Sequence, residues 1–242
     1  MKWLEILVVT VMGLLVGEVV RRWLNTLGYR LGPDEQGATG TVSEDAGRTA
    51  LSTTEDLDET VLTVPGSRWW IPVALAVAWG CVAWRSPVGW VRSWPDLAGW
   101  ARFLGWLAFS AIGLGMAVID LDVRRLPDRG QIAVASVSLV CGVIVCCQNP
   151  IRLAYGLGAA LVCGLAFLII HAASRGNLGL GDVKLVMTCG WWLGLTSLTS
   201  VYVGLMVSCV LAVAYSLLVR QRQFAFGPWL VTGTLIAGLC LS

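Results

Sequence analysis

The sequence predicts an all-α, polytopic membrane bundle of about eight transmembrane helices. Of its 242 residues, 57% are apolar and only 13% are charged, whereas a soluble domain carries about a quarter charged residues. Mean hydropathy is +0.75. The apolar residues fall in uninterrupted runs close to the roughly 20 residues that a spanning helix needs. They do not show the dyad alternation of a membrane β-barrel. In lipid, backbone polar groups must be satisfied internally, which selects helices.

Eight spans are expected, at 3–20, 69–84, 99–119, 130–147, 153–171, 183–199, 200–219 and 227–241. The first contains Glu5 and Glu18 and is followed by Arg21-Arg22 rather than a small-residue cleavage site. It therefore reads as a retained span and not as a cleaved signal peptide. The second is short and contains Pro72, so it begins further out or tilts. The third ends at Asp120. Pro127 lacks a backbone donor and disfavours helix at Leu126, so the chain is expected to turn near 126–130 before the fourth span. Between the sixth and seventh spans only Thr196 to Ser200 mark a turn. Trp3, Trp23, Trp69, Trp70, Trp84, Trp90, Trp94 and Trp100 cluster at predicted ends, as interfacial aromatic belts do.

Residues 1–32 are the first span and its exit, 33–68 a separate loop, and 69–242 a membrane-embedded domain. Eight of the fifteen acids lie in 34–59, and 33–67 contains no aromatic residue. Such a stretch buries too little apolar area to offset its ordering entropy, so a flexible acidic loop is expected. The eight cysteines all sit in apolar segments and form no Cys-x-x-Cys pair. They read as buried free thiols filling apolar space, not as a zinc site. No metal and no cofactor is expected.

If 21–68 faces the cytoplasm, twelve Lys/Arg lie on that side (Arg21, Arg22, Arg30, Arg48, Arg68, Arg124, Arg125, Arg129, Arg175, Lys184, Arg220, Arg222). The other side has Lys2, Arg85, Arg92 and Arg152, with Arg102 at the start of a span. The excess orients the protein and puts the loops 120–130 and 172–182 on the cytoplasmic side.

Those two loops hold the chemistry. Asp182 is the only Asp or Glu from 129 to 242, and a lone acid between apolar spans is costly unless it is used. The nearest acids upstream are Asp120, Asp122 and Asp128. Gly176, Gly179 and Gly181 permit tight or left-handed backbone and close helix approach, and are expected to bring Asp182 against the third span, next to Asp120. Two adjacent carboxylates cannot both ionise cheaply and share a proton near neutrality. An aspartyl protease needs such a pair: one carboxylate activates water, and the other, protonated, donates to the carbonyl oxygen and the leaving amine.

Around these residues the chain resembles a family. Gly179-Leu180-Gly181-Asp182 matches the GxGD signature of membrane aspartyl proteases. Together with Val183-Lys184-Leu185, and Ile119-Asp120 ahead of Leu126-Pro127-Asp128, it resembles bacterial type IV prepilin peptidases. Gly13 to Gly17 through Tyr29-Arg30-Leu31 looks like that family's first span and its exit. Phe226-Gly227-Pro228 looks like the start of its last span. The Tyr-Asp pair and Pro-Ala-Leu motif of presenilin-like proteases do not occur.

The resemblance implies a peptidase domain in 69–242 that cleaves the basic leader of type IV prepilins or pseudopilins at the cytoplasmic face of the bacterial inner membrane; the sequence does not choose between a type IV pilus, protein secretion and DNA uptake as the pathway. It gives Asp120 and Asp182 the catalytic positions, with Gly179, Gly181, Pro127, Asp128 and Lys184 in support. The expected partners are the prepilin substrate and the lipid bilayer, with no nucleic acid; the sequence gives no oligomeric state. Many family members carry paired Cys-x-x-Cys motifs in the first cytoplasmic loop, associated with zinc and N-methylation. Residues 21–68 here contain no Cys, so neither zinc nor methyl transfer is assigned.

Each residue also has a plainer reading. Asp128 beside Pro127 caps the fourth helix, Asp122 pairs with Arg124, Arg125 or water, and Lys184 snorkels to the interface or sits against Asp182. His171, the only histidine, marks a helix end at the interface. The acids of 34–59 offer attraction to a basic leader. Of the rival functions, a proton- or cation-coupled transporter would use the same acids at the bilayer midplane; both fall near span ends, and no internal repeat relates the halves. An inactive assembly scaffold would leave both acids unexplained.

Overall fold

The computed structural model describes residues 2–26, 68–86, 96–123, 126–174, 178–219 and 226–241. Among these the protein is entirely helical. In chain order the helices are α1 (Lys2–Asn25), α2 (Trp70–Arg85), α3 (Leu97–Val123), α4 (Asp128–Gln148), α5 (Ile151–Ala173), α6 (Leu180–Gly194), α7 (Leu198–Val219) and α8 (Gly227–Leu241). Each expected span thus holds one helix. The five helices α1, α3, α4, α5 and α7 are long and apolar enough to cross a bilayer. Helices α2, α6 and α8, of 16, 15 and 15 residues, extend only about 22–24 Å. Most of the acidic loop, 33–67, lies outside the described residues, as do Trp90, Trp94, Arg124 and Arg125.

Neighbours in sequence pack as antiparallel pairs would, α1 on α2, α3 on α4, α5 on α6 and α7 on α8. Helix α8 also touches α3, α6 and α2, which puts it inside the bundle. The core is built from Trp106 and Phe109 of α3, Leu185, Val186 and Trp192 of α6, and Leu230 and Val231 of α8. Outward faces are apolar too: Leu7, Leu15, Val210, Leu217 and Leu218 are exposed. Apolar surface on this scale is what a bilayer covers.

Small residues set the close approaches. A Cβ on Gly17 would stand 2.5 Å from the Pro72 Cα, and one on Gly13 2.9 Å from the Ala76 Cα, so α1 fits over the proline of the short second helix. A Cβ on Gly194 would meet the Tyr155 carbonyl at 2.7 Å and the Gly156 Cα at 2.9 Å, so the end of α6 lies on the backbone of α5.

Two expectations are corrected. The turn between the sixth and seventh helices falls at 195–197, at the start of the Thr196–Ser200 stretch that marks it, so the sixth helix ends at Gly194 and not at 199. The Thr196 hydroxyl donates to the Leu193 carbonyl (2.6 Å), and Ser197 Oγ accepts the Ser200 N–H (3.0 Å). One hydroxyl closes α6, and the other caps α7. The cysteines are all free, but only Cys146, Cys163 and Cys189 are buried; Cys81, Cys147 and Cys240 are exposed. On helices meant for lipid, an outward thiol is as compatible as a buried one. Trp3, Trp23, Trp69 and Trp84 face outward, whereas Trp79, Trp106, Trp191 and Trp192 are core residues.

Candidate active site

Asp120 lies in the last turn of α3 and is 5% exposed. Its Oδ2 accepts the backbone N–H of Gly227, 3.0 Å away. Gly227 opens α8, where the first N–H groups have no intrahelical carbonyl and the helix dipole favours a carboxylate. Pro228 follows, its missing N–H being no loss at the start of a helix. A Cβ on Gly227 would be 2.8 Å from Asp120 Oδ2, so glycine is what lets the α8 backbone close on the acid.

Asp182 lies in the first turn of α6. Its own N–H donates to the Gly179 carbonyl (3.1 Å). Its Oδ1 is buried and has no hydrogen-bond partner among the described residues. Asp120 and Asp182 are close enough for their charges to interact.

The two helices that carry them are not packed backbone to backbone. No Cα atoms of α3 and α6 come within 8 Å of each other. Trp192 of α6 reaches α3 through its ring, which packs on Trp106, centroids 5.5 Å apart at 69°. Gly181 instead seats α6 against the α3–α4 connection: its Cβ would meet Gln131 Nε2 at 2.9 Å and Leu126 Cβ at 3.1 Å. The Leu126 side chain also lies 3.4 Å from the Cβ position of Gly227. Leu126 therefore sits between the strand of chain that carries Asp182 and the helix end that holds Asp120. Gly179 is extended (φ −67°, ψ 141°), and a Cβ there would stand 3.5 Å from its nearest neighbour, Asp182 Oδ2, an ordinary contact; neither a left-handed turn nor a close approach requires glycine at this position. Gly176 lies outside the described residues.

The supporting residues divide. Pro127 (φ −67°, ψ 128°) turns the chain before α4, as expected. Asp128 is no cap: the position before the helix is Pro127, and no side chain bonds there. Its carboxylate takes Lys184 Nζ at 2.7 Å instead, with both side chains well exposed. Lys184 is thus turned to Asp128 and not to Asp182, and it stays well exposed; the pair links α6 to α4. Asp122 lies 3.4 Å from Arg68 Nη2, while Arg124 and Arg125 are outside the described residues. Arg68 is buried and also donates to the Leu24 carbonyl (3.0 Å), tying the end of α1 to the end of α3. The His171 Nδ1–H donates to the Leu178 carbonyl, a bond that closes the α5–α6 loop just ahead of Gly179.

Two neighbours of the acids were not legible beforehand. Gly227 had drawn attention only through its tripeptide, not as a donor to Asp120. Gln131, 5% exposed on α4, had no signal beyond being a polar residue in an apolar helix.

Residues 107–217 match the type IV leader peptidase family. The matched segment is a little under half of the chain. It contains Asp120, Asp128, Gly179 and Asp182. The chain is also 31% identical over 182 residues to a prepilin leader peptidase/N-methyltransferase of Neisseria gonorrhoeae, covering 69% of this chain and 55% of that protein. It is 31% identical over 147 residues to a type 4 prepilin-like proteins leader peptide-processing enzyme of Escherichia coli O78:H11 (strain H10407 / ETEC), covering 58% of this chain and 52% of that protein. The chain thus spans about half the length of these curated relatives. Neither name speaks of transport. No solved structure matches the chain.

Proposed function

We propose that the protein is a prepilin leader peptidase of the aspartic type, in which Asp120 and Asp182 act as a pair on a water molecule. The convergence of two acids, 62 positions apart in the chain, within the segment matched to the leader peptidase family carries this reading. One carboxylate takes a proton from water, which attacks the scissile carbonyl. The other, protonated, donates to the carbonyl oxygen, and the tetrahedral intermediate collapses with proton transfer to the leaving amine. The two groups titrate as a pair. No covalent intermediate is needed.

The substrate class is a prepilin or pseudopilin, cut after its basic leader and before its hydrophobic helix. The proposed location is the bacterial inner membrane, with the loops 120–130 and 172–182 facing the cytoplasm. The twelve basic residues on that side support the orientation. Gly179, Gly181 and Pro127 set the backbone around the acids. Methyl transfer, present in the name of one relative, is not proposed for this chain.

Coexpression with a candidate prepilin, followed by mass analysis of the pilin N-terminus, tests the reading and reports methylation at the same time. Leader removal is expected with the parent protein, and none with Asp120→Asn or Asp182→Asn inserted at equal levels. Full cleavage by either variant would refute the paired-acid mechanism.

A further inference from the structure

Gln131 is 5% exposed, and both of its side-chain polar atoms, Nε2 and Oε1, are buried without a hydrogen-bond partner among the described residues. A buried primary amide left unpaired is costly, and such groups are rare unless something else satisfies them. Its position gives the cost a purpose. The Gln131 N–H donates to the Pro127 carbonyl (3.2 Å), which fixes the residue one turn into α4, just after the bend at Leu126-Pro127. Its amide nitrogen lies 2.9 Å from the Cβ position of Gly181, the residue that precedes Asp182. Asp182 Oδ1, also buried, is the other unpaired polar atom at this end of α6.

We infer that Gln131 is a substrate-binding residue that holds the backbone N–H and carbonyl of one extended residue of the leader substrate beside the acid pair. This rests on the peptidase reading above. The chemistry is complementary: a primary amide presents donors and an acceptor side by side, and in an extended chain the N–H and carbonyl of one residue point to the same side, whereas those of one trans peptide unit point apart. Nε2 donates to a substrate carbonyl, and Oε1 accepts a substrate N–H. Exchange of the two amide ends by a flip leaves the complementarity intact. An extended chain entering the site carries backbone N–H and carbonyl groups that have left water, and Gln131 is a fixed partner for one residue's pair of them. A site built to bond a buried polar group rejects chains that cannot supply it, so Gln131 aligns the backbone and leaves choice among side chains to other residues.

The test uses the full chain in detergent with a synthetic prepilin peptide spanning the leader junction. Gln131→Met keeps the length of the side chain and removes both polar atoms; Gln131→Leu is a second apolar variant. Because the amide has no partner in the protein, both should unfold at a temperature equal to or above the parent's. Cleavage should fall about 10- to 100-fold in kcat/KM, with most of the loss in KM. An unchanged kcat/KM alongside an active parent would overturn the inference and leave the peptidase reading standing. An unfolding temperature well below the parent's in both variants would show that the amide bonds within the fold, and would overturn it equally. A parent that cleaves no prepilin peptide would remove the peptidase reading and this inference with it.

Discussion

The backbone N–H of Gly227 donates to Oδ2 of Asp120 across 107 positions of the chain, at 3.0 Å. The bond joins the last helix to the acid at the end of the third, and it needs a residue without a side chain: a Cβ there would stand 2.8 Å from the same oxygen. Gly227→Ala should therefore push the Asp120 carboxylate aside while leaving α8 intact, since alanine is the better helix former. A displacement near 1 Å at a reacting group costs on the order of a hundredfold in rate. Leader cleavage by Gly227→Ala should fall by about that factor, with an unfolding temperature close to the parent's. Parent-level cleavage would detach Gly227 from the chemistry.

Lys184 and Asp128 form a 2.7 Å ion pair, yet both remain well exposed. Exposed pairs contribute roughly 0.2–1 kcal/mol. A double-mutant cycle on Lys184→Met and Asp128→Asn should give a coupling no larger than about 1 kcal/mol, weakened by salt, and cleavage should stay within about threefold of the parent's. A coupling of several kcal/mol would mean that lipid or substrate shields the pair from solvent.

The sequence made some of this legible and hid the rest for physical reasons. Long apolar runs announce helices through their length alone, so every expected span holds one. The Thr196–Ser200 stretch marks the α6–α7 turn, but α6 ends already at Gly194, because which hydroxyl closes one helix and which caps the next is set by bonds that the residue types alone do not show. Asp182 was conspicuous because no other acid follows residue 128. Gln131 was silent because a neutral amide carries no such penalty in composition. The partner of Asp120 could not be read either: a backbone N–H is present at nearly every residue, and only the packing of α8 selects Gly227. Trp106 and Trp192 carry the same lesson. A tryptophan in an apolar run does not say whether it faces lipid or the core, but these two are buried and form a T-shaped pair where α3 and α6 face each other.

The far end of α6 offers a control on that packing. A Cβ on Gly194 would meet Tyr155 O, Ala159 Cβ and Gly156 Cα at 2.7, 2.8 and 2.9 Å. Two of these are backbone atoms and cannot rotate away. Gly194→Ala should destabilise the protein by about 1–3 kcal/mol, read as a lowered unfolding temperature in detergent. Asp182 stands twelve residues away, about 18 Å along the helix. Molecules that remain folded should keep cleavage within about tenfold of the parent's, well short of the loss expected for Gly227→Ala. Equal loss in both variants would show that α6 moves as one rigid rod and carries Asp182 with it.

Asp96 gives a pH signature at the start of α3. Its Oδ1 accepts the Gly99 N–H (3.0 Å) and the Gln148 side-chain amide (3.0 Å), capping α3 and reaching the end of α4. These bonds, the Gly99 N–H first, hold the carboxyl below its usual range. A group whose folded value is depressed contributes stability above its unfolded value, near 3.9, and loses it as the pH falls through the folded value. Loss of an aspartate cap costs about 1 kcal/mol. Asp96→Ala should therefore be less stable than the parent by about that amount from pH 5 to pH 8, and the difference should shrink below roughly pH 4 as the parent's carboxyl protonates. Unfolding in detergent across this range measures it. A gap that stays constant down to pH 3 would mean that the cap works as well protonated, through its carbonyl oxygen, and that the charge adds nothing.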